Sequence, residues 1–118
     1  MKIVIAGSRS ISNLAWLENA IARSGFDITE VISGKEPHGV DRLGELWAQA
    51  NGIPVDPHPA RWNLYYKQAG PMRNSDMAKI ADGAIILRVP LDQKSNGSDD
   101  MYRKMISLGK PVHREIQG

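Results

Sequence analysis

The chain has 118 residues, 15 Lys and Arg against 13 Asp and Glu for a net charge of +2, and no cysteine. That length fits one domain, 1–118, since domains of about 100–150 residues are the commonest and bury roughly two-thirds of their unfolded surface. Disulfides, thiolate metal sites and cysteine nucleophiles are excluded. The basic residues are spread without a run, so charge alone names no partner.

The first segment, Ile3 to Ala6, is a short β-branched run closed by Gly7, the pattern of a strand buried on both faces. Its apolar stretch is too short for a signal peptide or a membrane helix, which predicts a soluble cytoplasmic protein with no membrane partner. A helix is predicted next: Leu14, Leu17 and Ile21 share a face, Ser12 or Asn13 can cap the start, and Gly25 can close the end. Ile28 to Ile32 reads as a second strand ending at Ser33-Gly34. A second helical stripe follows, of Val40, Leu43, Leu46, Trp47 and Ala50, stopping at Asn51-Gly52.

A third strand is predicted over Ile53 to Asp56. The segment from Pro57 to Gly70, with Trp62, Tyr65 and Tyr66, reads as a long irregular connection holding about one helical turn. Pro71 suits the first turn of a helix with the stripe Met77, Ile80 and Ala81. Gly83 to Val89 is the most apolar strand candidate, Pro90 to Gly97 a polar loop, Ser98 to Leu108 the last helix, and Pro111 to Ile116 the last strand. Five strands separated by four crossovers predict an α/β domain, a mostly parallel sheet with helices on both faces.

Ligands of such sheets bind outside the carboxyl ends of the strands, where strand order reverses. Strand one is followed by Gly7-Ser8-Arg9-Ser10, strand two by Ser33-Gly34 and then Gly39-Val40-Asp41, and strand four by Asn96-Gly97-Ser98. Each turn alone is ordinary turn chemistry. Together they would open onto one rim, each ahead of a helix whose free N–H groups favour an anion. Gly7 is expected to stand where backbone must come close to a phosphate.

Arg9 and Arg73 suit a phosphate, and equally a solvated surface. Asp41 either caps its helix or accepts from ribose hydroxyls. Asp99-Asp100 read as a helix-start device, a general acid/base or a ribose ligand. Trp62, Tyr65 and Tyr66 either stack on a base or form a lid packed on the core. His38, His58 and His113 lack metal-ligand spacing, so no metal and no cofactor is expected. Neither Gly-x-Gly-x-x-Gly nor a Walker A lysine motif is present, which disfavours a dinucleotide enzyme or a P-loop NTPase.

Taken in order, Gly7-Ser8-Arg9, Ser33-Gly34 with Gly39-Val40-Asp41, Gly52-Ile53-Pro54-Val55, Ala69-Gly70-Pro71-Met72-Arg73-Asn74 with Met77, and Gly97-Ser98 ahead of Asp100-Met101 span nearly the whole chain. In these the chain resembles the YspA-like branch of the SLOG superfamily, Rossmann-like domains that also include DprA and the lonely guy phosphoribohydrolases. The resemblance implies a five-stranded parallel sheet and a nucleotide-derived ligand over the strand ends. On that expectation phosphate lies on the turns at Gly7 to Arg9 and Asn96 to Ser98, helped by Arg73, ribose lies on Asp41 or Asp100, and Asn74 is a further ligand-binding candidate. The position of the catalytic glutamate of the lonely guy enzymes falls on Met101. Helical neighbours point about 100° apart, so Asp100 takes that place only with a shift in register.

The leading expectation is therefore a module that binds a nucleotide or a nucleotide-derived signal, ADP-ribose-like or cyclic, as a sensor or by sequestration. A nucleoside-monophosphate phosphoribohydrolase with Asp100 or Asp41 as acid/base is the alternative. A DNA-processing accessory ranks last, because a single-strand groove wants interleaved cations and aromatics and only scattered arginines and the Trp62 region offer them. A homodimer or larger homo-oligomer is expected from the resemblance.

Overall fold

The computed structural model describes residues 1–90 and 96–117, residue 96 in its backbone only. In chain order its elements are β1 (Lys2–Gly7), α1 (Leu14–Ser24), β2 (Glu30–Ser33), α2 (Val40–Ala50), β3 (Val55–Pro57), α3 (Trp62–Tyr65), a 3₁₀ turn (Tyr66–Gln68), α4 (Ala69–Ile80), β4 (Gly83–Arg88), α5 (Asn96–Ser107) and β5 (Val112–Ile116). The strands form one parallel sheet in the order β3-β2-β1-β4-β5. Strand order reverses between β1 and β4. Among the described residues no helix is long and apolar enough to cross a membrane.

β1 is central and β-branched, and Ile3, Val4 and Ile5 are fully buried, as a strand covered on both faces must be. Ile3 and Ile5 pack with Leu17 and Ala20 of α1 and Val40 and Leu43 of α2. Val4 and Ala6 pack on the other face with Met77 and Ala78 of α4 and Met101 and Met105 of α5. Full burial of such a side chain is worth about 1.5–3 kcal/mol, so the two half-cores fix which face of each helix packs on the sheet. Gly44 lets α2 approach closely, since a Cβ there would lie 2.8 Å from Ile5 Cγ2.

The helical faces differ in detail from the stripes predicted from sequence. Asn13 caps α1, its Oδ1 accepting from Trp16 N at 3.2 Å. Leu14 is exposed, because the helix turns Leu17 and Ala20 inward. In α2 the buried face is Val40, Leu43, Gly44 and Ala48, leaving Leu46 and Ala50 in solvent, and in α4 it is Met77 and Ala78 with Ile80 outside. Each stripe was drawn too wide because the sheet covers only one narrow arc of each helix. β2 starts two residues later than predicted and β3 occupies Val55–Pro57 instead of Ile53 to Asp56, since Ile53 N is drawn back to Ala48 O at the end of α2. The last helix begins at Asn96, so Asn96 and Gly97 belong to its first turn and not to a loop. The rest of the loop predicted there, residues 91–95, lies outside the described residues.

Candidate functional site

A cleft of about 380 Å³ opens over the carboxyl ends of the strands at the β1/β4 reversal. Its walls come from the end of β1 (Ala6, Gly7), the first turn of α2, the first two to three turns of α4 and α5, and the side chains of Arg9, Glu36 and Trp62. Parallel β-α connections turn every helix start toward this rim, which is why residues far apart in sequence converge here.

Asn74 is the hub. It is buried, its Oδ1 accepts from Arg73 Nε at 2.9 Å, and its Nδ2 donates to Gly97 O and to Asp100 Oδ2, both at 3.0 Å. Arg73 Nη1 in turn donates to Gly34 O. One amide thus ties α4 to the first turn of α5, and one guanidinium ties α4 to the loop after β2. Asp100 is held further by Lys104, whose Nζ lies 2.6 Å from both carboxylate oxygens. Met77 and Met101 supply apolar lining from the half-core beneath.

Asp41, in the first turn of α2, is 6% exposed. Burial pushes its carboxyl up to about 6, against the pull of the Glu36 N–H, which donates to Oδ2 at 3.2 Å, and of the Arg73 charge. Glu36 and Glu45 push in the same direction as burial. A Cβ at Gly34 would stand 2.5 Å from Arg73 Nη1 and 2.9 Å from Asp41 Oδ2. Gly34 thus leaves room for a cation and an acid to approach from either side, and a side chain there would push the tips of Arg73 and Asp41 aside.

Gly7 also lines the cleft, but its φ is not positive and a Cβ there would run into Leu87 O of β4. Its lack of a side chain serves the β1–β4 contact, so a bulky residue would break the sheet before it touched a ligand. Gly39 does need its conformation: φ is +82°, and a Cβ would strike the Ser8–Arg9 backbone, so the start of α2 is pressed against the turn after β1.

Several residues singled out in the sequence stand beneath the rim. Ser8 is buried, and its Oγ accepts from Val89 N at 3.0 Å. Ser33 is buried and donates from Oγ to Glu45 Oε2 at 2.7 Å. These two hydroxyls and Gly39 shape the loops from below. Arg9, Asp41, Arg73, Asn74, Gly97, Ser98 and Asp100 do meet at the cleft. Arg9 is half exposed and paired with Glu36, Nη2 to Oε1 at 3.0 Å, across its mouth.

Glu36, Gly70 and Pro71 were missing from the sequence-derived set. Gly70 and Pro71 stand in the Ala-Gly-Pro-Met-Arg-Asn motif, so a signal for them existed; none marks Glu36. Trp62 lies over the first turn of α4, where a Cβ on Gly70 would be 3.0 Å from Cη2, and forms one cleft wall while 49% exposed. Among the described residues no cluster of three His, Asp or Glu can hold a metal ion.

The family profile described as YspA, cpYpsA-related SLOG matches residues 1–65, which carry β1 through α3 and the cleft residues up to Trp62. The chain belongs to this family. It is also 30% identical over 120 residues to the Gene 61 protein of Mycobacterium phage D29, an alignment covering 94% of this chain and 93% of that protein. No solved structure matches. The SLOG assignment carries the general expectation of a nucleotide-related ligand, and its first half ends before Arg73 and Asn74.

Proposed function

We propose that this SLOG domain binds a nucleotide or nucleotide-derived small molecule, of the ADP-ribose-like or cyclic kind, in the cleft at the β1/β4 reversal, as a sensor or sequestering module. The observation that carries this reading is the Gly34–Arg73–Asn74–Asp100 hydrogen-bond chain running along one side of a cleft into which three helix starts open. Arg73 uses Nε and Nη1 to hold its plane in place. Its remaining N–H groups then meet a phosphate at little further entropic cost. Arg9 reaches the same anion by exchanging Glu36 for it. Asp41 and Asp100 accept from ribose hydroxyls, and Trp62 offers a face for a base.

Thermal unfolding with a panel of nucleotides tests this. A ligand at 100 times its Kd adds about 2.7 kcal/mol, which in a domain near this size raises Tm by roughly 10–20 °C. Unchanged melting across mono-, di- and cyclic nucleotides at millimolar concentration would contradict the reading.

One observation favours a second reading, hydrolysis of an N-glycosidic bond. A carboxyl titrating near 6 inside a cleft is suited to general acid/base work near neutral pH. On that reading the proton carrier is Asp41. Asp100 is already engaged by Lys104 and Asn74, and Met101 stands where the resemblance puts the catalytic glutamate. Release of free base from labelled nucleoside monophosphates, lost in Asp41→Asn, would promote it over binding alone.

A further inference from the structure

A second hollow, of about 310 Å³, lies on the far side of Arg73 beyond the tip of β3. It is lined by His58, Arg61, Tyr65, Arg73 and Asp76, together with prolines and apolar side chains. Arg73 is thus the shared wall between this hollow and the cleft. Each volume alone is at the small end for ligand pockets, about 300–1,000 Å³, and a wall formed by one guanidinium suits a ligand that passes over it.

The chemistry of the second hollow is not that of a base pocket. Arg61 is exposed and its guanidinium has no hydrogen-bond or ion-pair partner among the described residues, although its carbonyl accepts from Leu64 N and Tyr65 N, and Arg73 Nη2 likewise has none. Two guanidinium groups therefore face the same space with donors to spare. His58 is held on Asp56, Nε2 to Oδ2 at 2.9 Å, and its backbone N–H is fixed on Ser33 O at 2.7 Å, so this wall is set by β2 and β3. The Asp76 carboxylate and Tyr65 hydroxyl are suited to sugar hydroxyls and poorly to a second phosphate.

We infer that the site is two-lobed and takes a nucleoside diphosphate carrying a second sugar: the nucleoside lies in the cleft, the pyrophosphate crosses Arg73, and the distal phosphate and sugar rest on Arg61, Tyr65 and Asp76. The inference rests on the nucleotide reading of the cleft and narrows it. A mononucleotide fills only the first lobe and leaves Arg61 unengaged.

Calorimetric titration of the full chain with AMP against ADP-ribose, and with GMP against GDP-mannose, tests it. In at least one of the two pairs the diphosphate sugar should bind tenfold or more tightly than its mononucleotide. Replacing the exposed Arg61 side chain, which has no polar partner among the described residues, by Arg61→Ala should remove about tenfold of that affinity and leave the mononucleotide unchanged. Arg61→Glu should remove more. Equal affinity within both pairs, or a diphosphate-sugar affinity indifferent to both Arg61 variants, overturns the two-lobed site while leaving the cleft as a nucleotide site. Failure of all four ligands to bind overturns both.

Discussion

Two carboxylates of this chain, Glu115 and Asp41, are held away from solvent to different degrees and treated in opposite ways. Glu115, on the edge strand β5, accepts from Trp16 Nε1 at 2.9 Å, from Arg23 Nε and Nη2 at 2.8 and 2.6 Å, and meets His113 Nε2 at 2.6 Å. Led by the Arg23 hydrogen bonds, these partners hold its carboxyl down at about 2 despite burial. Asp41 accepts one backbone N–H and lies near one guanidinium, and burial wins. The first arrangement clasps a sheet edge to α1. The second keeps an acid with few partners beside a cleft, at some expense to the fold.

The largest expected effect breaks the clasp. Glu115→Ala leaves Trp16, Arg23 and His113 without their acceptor and should destabilise the protein by about 1.5–3 kcal/mol at pH 7, the range for hydrogen bonds to a charged group, read by urea unfolding, with nucleotide affinity unchanged. Because the folded value lies below the ordinary 4.5, the stability from Glu115 is full above pH 4.5 and is lost as pH falls toward 2. The gap between wild type and variant should narrow over that window.

Arg73→Ala attacks the other region. Nucleotide binding should weaken by about 1.5–3 kcal/mol in calorimetry, the usual loss for a charge-assisted contact. Folding stability should also fall, by about 1 kcal/mol, since Gly34 O and Asn74 Oδ1 lose their donor. Stability loss without any change in affinity would make Arg73 a brace alone.

Asp41→Asn should move stability in the direction opposite to Glu115→Ala. With the folded value raised from 3.8 to about 6, ionisation of Asp41 opposes folding: the penalty is absent below 3.8, grows as pH rises through 6, and is full above. The variant should gain on wild type by about 1–2 kcal/mol between pH 4 and 8, after allowing for the lost attraction to Arg73. A variant less stable at pH 8 than at pH 4, relative to wild type, would place Asp41 with Glu115 as a structural acid.

The smallest effect belongs to Asp100→Asn, which keeps an acceptor for Asn74 and weakens the Lys104 pair. Affinity should fall by no more than about 1 kcal/mol, with no turnover to lose. A glycosidase relying on Asp100 would instead slow by ~10²–10⁴-fold with binding kept.

The parallel sheet and the position of the rim were legible because Ile3 to Ala6, Val31-Ile32 and Ala84 to Leu87 are apolar runs closed by turn residues, and parallel topology fixes what lies past their ends; the strand order came only with the structure. Asp41, Arg73, Gly97 and Asp100 were readable as rim residues for the same reason. The roles of Ser8 and Ser33 were not, because a buried serine bonded to a neighbouring loop and an exposed serine on a ligand look alike in one dimension. Nor was the Asn74 hub, which depends on the tertiary packing of α4 on α5. Gly7 was expected to make room for a phosphate; the close approach seen in the structure is to Leu87 O.

The most direct test follows backbone amides by two-dimensional NMR of the ¹⁵N-labelled protein during titration with ADP-ribose and GDP-mannose. The expected result is that shifts concentrate at Gly7, Arg9, Gly34, Asp41, Arg73, Asn74 and Gly97 to Asp100, with the indole N–H of Trp62 moving and that of Trp16, locked on Glu115, still. Shifts centred on the β5 edge, or none at saturating concentration, would contradict a nucleotide site at the β1/β4 reversal.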